Sequence, residues 1–233
     1  MDAASSTSLL SILALGLVLG IRHATDADHV VAVTTIVSKQ RSVRAAALLG
    51  AMWGVGHTVT IVLVGGAIVV FGLVIPPRVG LSMELGVAVM LVVLGGANLV
   101  GAARRIDEVA HGGADHTHPP IFASGGLRSL VVGVVHGLAG SAAVSLLVLA
   151  TIRDAKWALL YLLVFGLGTV AGMMLLTSAM FAPLSLASRR VEGLPRWMGR
   201  LTGVASLALG LFLAYRVGVL DGLFGDHPIW IPR

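Results

Sequence analysis

Two histidines, two aspartates and an arginine sit in the stretch Gly20-Ile21-Arg22-His23-Ala24-Thr25-Asp26-Ala27-Asp28-His29, inside a run from Leu9 to Val37 that is otherwise uncharged. Near the centre of a membrane helix, each Asp or Arg costs roughly 2.5–3.5 kcal/mol, so three of them uncompensated cost on the order of 7–10 kcal/mol. Packing alone gives no reason to bury four ionisable groups, so water, mutual pairing or a cation must compensate them. On a straight helix, at about 100° per residue, His23, Asp26 and His29 share one face and Asp28 points away. A backbone loosened between Ala24 and Ala27 would let all four converge. The donors are imidazole nitrogen and carboxylate oxygen, without sulfur. Cu(I) prefers sulfur, and Mg²⁺ and Ca²⁺ prefer oxygen shells, whereas the mixed set suits Ni²⁺, Co²⁺, Zn²⁺ or Cu²⁺. Two carboxylates also offset a divalent charge.

His57, in Trp53-Gly54-Val55-Gly56-His57-Thr58, and His136, in Gly133-Val134-Val135-His136-Gly137, are candidate ligands from neighbouring segments. A lone histidine in a span is as readily a hydrogen-bonded packing residue. Arg22 reads as a counter-charge to one aspartate. His111, Asp115, His116 and His118 form a polar tract that either collects metal or serves as a neutral linker. Thr58, Asn98 and Ser141 are polar groups that could support the site.

The elements that must position these residues are membrane spans. Of 233 residues, 57% are hydrophobic and only 12% charged, against about 45–50% and about 25% in soluble domains. Spans of about 20 apolar residues fit six times: about 8–37, 45–75, 81–103, 127–152, 157–184 and 201–219. The expected fold is an all-α integral membrane protein, its first helix broken at the His23–His29 motif. Residues 1–103 form a first three-helix repeat, 104–126 a polar His-containing cytoplasmic loop, and 127–233 a second three-helix repeat. Gly20-x-x-His23 recurs as Gly133-x-x-His136, and Gly54-x-Gly56 as Gly166-x-Gly168, at separations equal to within one residue. Three spans per half make the repeats inverted, the plan of many secondary transporters, which bind near the membrane midplane.

The formal charge of +5 arises from arginines and lysines in loops, without an aromatic-interleaved basic patch, which argues against nucleic acid. Lys39, Arg41, Arg44, Arg104, Arg105, Arg128, Arg189, Arg190, Arg196 and Arg200 follow spans 1, 3 and 5. By the positive-inside rule those loops are cytoplasmic, and both termini lie outside a cytoplasmic (inner) membrane. Met1–Ser8 lacks a basic n-region, so the first span is read as retained. Cysteine is absent, which removes disulfides and thiolate metal sites.

Among function classes, no Gly-x-x-x-x-Gly-Lys-[Ser/Thr] loop or His-Glu-x-x-His pattern is present, so neither intrinsic ATP hydrolysis nor a zinc protease is expected. A rhomboid-type protease using Gly140-Ser141 needs a later histidine as base, and none falls between His136 and His227. A haem carrier using His23, His57 or His136 as axial ligands leaves the aspartates unexplained. The chain is expected not to be an enzyme and to hold no prosthetic group.

Arg22-His23-Ala24-Thr25-Asp26-Ala27-Asp28-His29 resembles the signature of the nickel/cobalt transporter family, and Gly54-Val55-Gly56-His57-Thr58 is similar to that family's second motif. The six-span size and Gly133-x-x-His136-Gly137-x-x-Gly140-Ser141 resemble the smaller urease-accessory (UreH-like) permeases of that superfamily. The resemblance implies movement of Ni²⁺ or Co²⁺ and makes His23, Asp28, His29 and His57 metal-handling positions, while the mixed donor set keeps Zn²⁺ a further candidate. The direction expected is uptake, with efflux the alternative, since residues 111–118 resemble the His-rich loop of a related efflux group. Partners compatible with this reading are the ion, the lipid bilayer, a second copy of the chain and a cytoplasmic metal acceptor.

Overall fold

The computed structural model describes residues 3–37, 40, 42–110, 125–138, 151–152, 154–188 and 194–230. These form seven α-helices and no strand: α1 (Ala3–His23), α2 (Ala27–Val37), α3 (Val43–Phe71), α4 (Pro77–Ala110), α5 (Gly125–Gly137), α6 (Ala155–Ser188) and α7 (Leu194–Tyr215). A single π-helical turn, Arg216–Leu220, extends α7.

Among the described residues, four helices are long and apolar enough to cross a membrane: Val43–Phe71, Pro77–Gly101, Ala155–Pro183 and Trp197–Leu220. The pair Leu10–His23 and Ala27–Thr34, bent by 49°, makes a fifth when counted as one span. The span expected over 127–152 is described through α5 and Leu138; residues 139–150, including Gly140 and Ser141, lie outside the described residues. So do His111, Asp115, His116 and His118 of the polar loop.

The break in the first span lies where the motif placed it. Above it, Ala24 N–H still donates to the Gly20 carbonyl, four residues back. Thr25 N–H then donates to Arg22 at 2.9 Å and Asp26 N–H to His23 at 3.1 Å. This contraction to three-residue spacing tightens and ends α1. The Thr25 hydroxyl also donates to the Arg22 carbonyl at 2.6 Å. Val30 N–H donates to the Asp26 carbonyl and opens α2. Arg22 and His23 occupy the last turn of α1, and Asp28 the first turn of α2. Each charge type thus faces the helix end whose dipole favours it.

Other helix ends differ from the hydropathy reading for local reasons. Ser42 caps α3, its Oγ accepting from Ala45 N–H at 3.1 Å. Gly72, at φ +61°, stops α3 at Phe71 in the left-handed conformation that glycine adopts without penalty, short of the expected 75. Helix α4 begins at Pro77, whose fixed φ and missing N–H suit a first helical position, and runs to Ala110, into the stretch expected to open the polar loop. Helix α7 starts at Leu194, a full turn and more before the expected 201.

Close helix packing sets the centre of the molecule. A Cβ on Gly20 of α1 would strike the Phe165 carbonyl and the Thr169 nitrogen of α6. A Cβ on Gly133 of α5 would strike the Trp53 carbonyl and the His57 nitrogen of α3. Reciprocally, Gly168 lies against the Leu17 carbonyl, and Gly56 against the Leu130 carbonyl. Between α3 and α6, Gly54 meets Val170 and Gly166 meets Thr58. Between α4 and α7, Asn98 Nδ2 donates to the Gly199 carbonyl at 3.2 Å and Ser206 Oγ to the Leu91 carbonyl at 2.8 Å. Small residues let backbones approach in this way where lipid supplies no hydrophobic drive. Large apolar side chains such as Leu63, Val93, Leu167 and Leu211 point outward, as lipid-facing surfaces require.

Candidate metal centre

The break in the first span, the middle of α3 and the last turn of α5 meet at one point. His57 lies midway between the ends of the 29-residue α3, about 21 Å from either end at 1.5 Å per residue. Gly133 and Gly56 draw α5 onto α3, and Gly137 rests against the His57 carbonyl, so His136 arrives beside the motif.

All four histidines are buried: His29 and His136 at 0% exposure, His57 at 1% and His23 at 6%. His23 Nδ1 lies 2.9 Å from Asp26 Oδ2, and His23 Nε2 lies 2.9 Å from His57 Nε2. Asp28 Oδ1 accepts from the His29 backbone N–H at 2.9 Å and faces His29 Nδ1 at 3.3 Å. Asp28 Oδ2 faces His136 Nε2 at 3.0 Å. The bent backbone thus turns Asp28 inward, where a straight helix would have aimed it away.

With neutral rings, these contacts assign the tautomers. An ionised carboxylate only accepts, so the protons sit on His23 Nδ1, His29 Nδ1 and His136 Nε2. His23 Nε2 is then a lone pair, and His57 Nε2 donates to it. The remaining nitrogens, His29 Nε2, His57 Nδ1 and His136 Nδ1, carry lone pairs, and each is buried with no hydrogen-bond partner among the described residues. Buried polar atoms are rarely left so. A histidine that gives its ring N–H to a carboxylate and keeps its other nitrogen open is the arrangement metal-ligating histidines adopt. Among the described residues, two groups of side chains hold ligand atoms within 4.8 Å of one another: His23, His29 and His57, and Asp28, His29 and His136.

Asp26 stands apart from the buried set, its side chain 44% exposed beside His23. Arg22 is exposed, and among the described residues no ion pair joins it to Asp26 or Asp28. Thr58 donates to the Gly54 and Gly166 carbonyls and Asn98 to Gly199 and Thr202; both stitch helices together away from the cluster.

One residue was missed in the sequence reading. The Trp53 ring stacks on His29, with centroids 6.1 Å apart and planes 28° apart, and meets His136 edge-on at 5.7 Å. Its spacing, four residues before His57 on the same helix, was the available signal. On the other side, Phe165 packs against His23 at 5.6 Å.

Fold and site together define a class: an all-helical, multi-span membrane protein that gathers histidines and aspartates around open imidazole lone pairs in its interior. Urease accessory protein UreH from Bacillus sp. (strain TB-90) is 38% identical over 227 residues, which cover 96% of this chain and 97% of that protein. The chain belongs to the UreH family, the smaller branch that its motifs resemble. No family model matches the chain, and no solved structure does.

Proposed function

We propose that the chain is a secondary permease that takes up a divalent transition-metal ion, Ni²⁺ or Co²⁺ before Zn²⁺, across the cytoplasmic membrane. The observation that carries this reading is the set of three buried, unpartnered imidazole nitrogens, His29 Nε2, His57 Nδ1 and His136 Nδ1. Around them Asp28 and His23 supply further oxygen and nitrogen donors, with Asp26 behind His23. Neutral imidazoles with carboxylates suit a borderline divalent ion and offset its charge in lipid. Nickel and cobalt come first because residues 22–29 resemble the nickel/cobalt transporter signature.

The inverted three-helix repeat belongs to this proposal. Its support is the shared register of the Gly20/Phe165 and Gly133/Trp53 contacts, each joining the first helix of one half to the second helix of the other. The outside termini rest on loop basicity. A cytoplasmic acceptor takes the ion on release, and residues 111–118 collect metal on that side.

The test is uptake of ⁶³Ni²⁺ or ⁵⁷Co²⁺ into proteoliposomes by wild type, His23→Ala and Asp28→Asn. Wild-type uptake above protein-free vesicles, lost in both variants, supports the reading. Uptake by both variants at the wild-type rate removes the cluster from the pathway.

A further inference from the structure

His29 belongs to two ligand sets at once. Nitrogens of His23, His29 and His57 lie within 4.8 Å of one another, and so do nitrogens of His29 and His136 with an Asp28 oxygen. The sets differ in chemistry: one is three neutral imidazoles, the other two imidazoles and a carboxylate. They also differ in origin, since the first comes from α1, α2 and α3 alone and the second needs α5. The His57 and His136 rings, one in each set, stand 6.0 Å apart. His29 adjoins both, at the third corner of a triangle, its ring centroid 5.3 Å from that of His57 and 4.1 Å from that of His136.

A neutral imidazole has one N–H and one lone pair. His29 therefore completes one set or the other, never both. We propose that the two sets are successive resting places for a single divalent ion, handed from one to the other by His29. The inference rests on the metal-transport reading above and goes beyond it by dividing the cluster into two positions used in turn. Keeping one ligand through the move spares the ion full rehydration between positions. Each position has a carboxylate nearby: Asp26, 44% exposed, behind His23, and Asp28, 18% exposed, within the second set. The second position borrows His136 from the other half of the chain, so a shift of α5 against α2 opens or closes it while leaving the first intact.

The experiment uses the full chain in detergent, with Co²⁺ alone as the probe, and the same preparations in liposomes. Wild type binds one Co²⁺ per chain. His57→Gln, which damages the first set alone, and His136→Gln, which damages the second alone, each retain binding within about tenfold of wild type, whereas His29→Gln loses about 100-fold or more. The two retained complexes differ in visible absorption, because their donor sets differ. Uptake falls at least about tenfold in both single-set variants, since one position without the other is a dead end. The Asn substitutions at 57 and 136 run in parallel, so one folded variant at each position suffices. Two Co²⁺ per wild-type chain, or loss of binding in either single-set variant as complete as in His29→Gln, overturns the hand-over. Wild-type uptake by either variant overturns it too. A wild-type chain that neither binds nor carries Co²⁺ overturns the transport reading itself, whereas one that does both while its variants behave as a single site overturns the hand-over alone.

Discussion

Replacing Asp28 by Asn keeps shape and changes only which atoms donate. The carboxylate accepts three contacts: His29 backbone N–H at 2.9 Å, His29 Nδ1 at 3.3 Å and His136 Nε2 at 3.0 Å. In Asp28→Asn the amide oxygen can keep the two His29 contacts, but the amide NH₂ then faces His136 Nε2–H, donor against donor. His136 relieves this by moving its proton to Nδ1, the very nitrogen that stands open in the wild type. One metal lone pair disappears with one carboxylate. Loss of a carboxylate partner to a ligating histidine lowers metal affinity about 10–100-fold, or about 1.4–2.7 kcal/mol. Folding should be nearly untouched, because a neutral amide is easier to hold in lipid than a carboxylate. Calorimetric titration of the purified protein with Co²⁺ reads the affinity, and a thermal melt without metal reads stability. Affinity within about threefold of wild type would refute the tautomer argument, since even the weaker end of the expected range is tenfold.

Three further outcomes follow from the geometry. Gly20→Val should force α1 from α6 and lower stability by about 1–3 kcal/mol, while Gly96→Val, where nothing lies within 4 Å, should leave the melt almost unchanged. Equal melting temperatures for the two would refute the close-approach argument. In a chain whose other tryptophans, Trp157, Trp197 and Trp230, are replaced by Phe, Co²⁺ should quench Trp53 fluorescence, because that ring touches His29 and His136; unquenched emission at saturating metal would place the ion elsewhere. Asn98→Leu removes hydrogen bonds to Gly199 and Thr202 and should cost only about 1.2 kcal/mol, at about 0.6 kcal/mol for each such bond between membrane helices. Its metal uptake should match the wild type, and a large uptake defect would tie the α4–α7 seam to transport.

The local part of the site was legible because its spacing is local. His23, Asp26, Asp28 and His29 announce themselves as charges in an apolar run, and their number calls for a bend. The direction of Asp28 was not legible from helical periodicity alone, since it depends on the contraction to three-residue hydrogen bonds at Thr25 and Asp26. Pairing Asp28 with His136 was beyond reach too, being a contact between residues 108 apart that exists only because Gly133 lets α5 close on α3. Trp53 went unnoticed because an aromatic residue in a membrane helix looks like packing until its ring is seen against two histidines. Helix ends erred where stereochemistry, not hydropathy, decides them: Gly72 with its left-handed φ and Pro77 as a first residue.

The midpoint position of His57 on α3 has an electrical consequence. An ion resting there has traversed about half of the voltage drop from either side. For a doubly charged ion, half of a 100 mV difference is worth about 2.3 kcal/mol. On the uptake reading proposed above, filling of the centre from outside is driven by an inside-negative potential, and discharge to the inside takes up the other half. Collapsing the voltage at constant ion concentration should slow uptake even with every ligand intact.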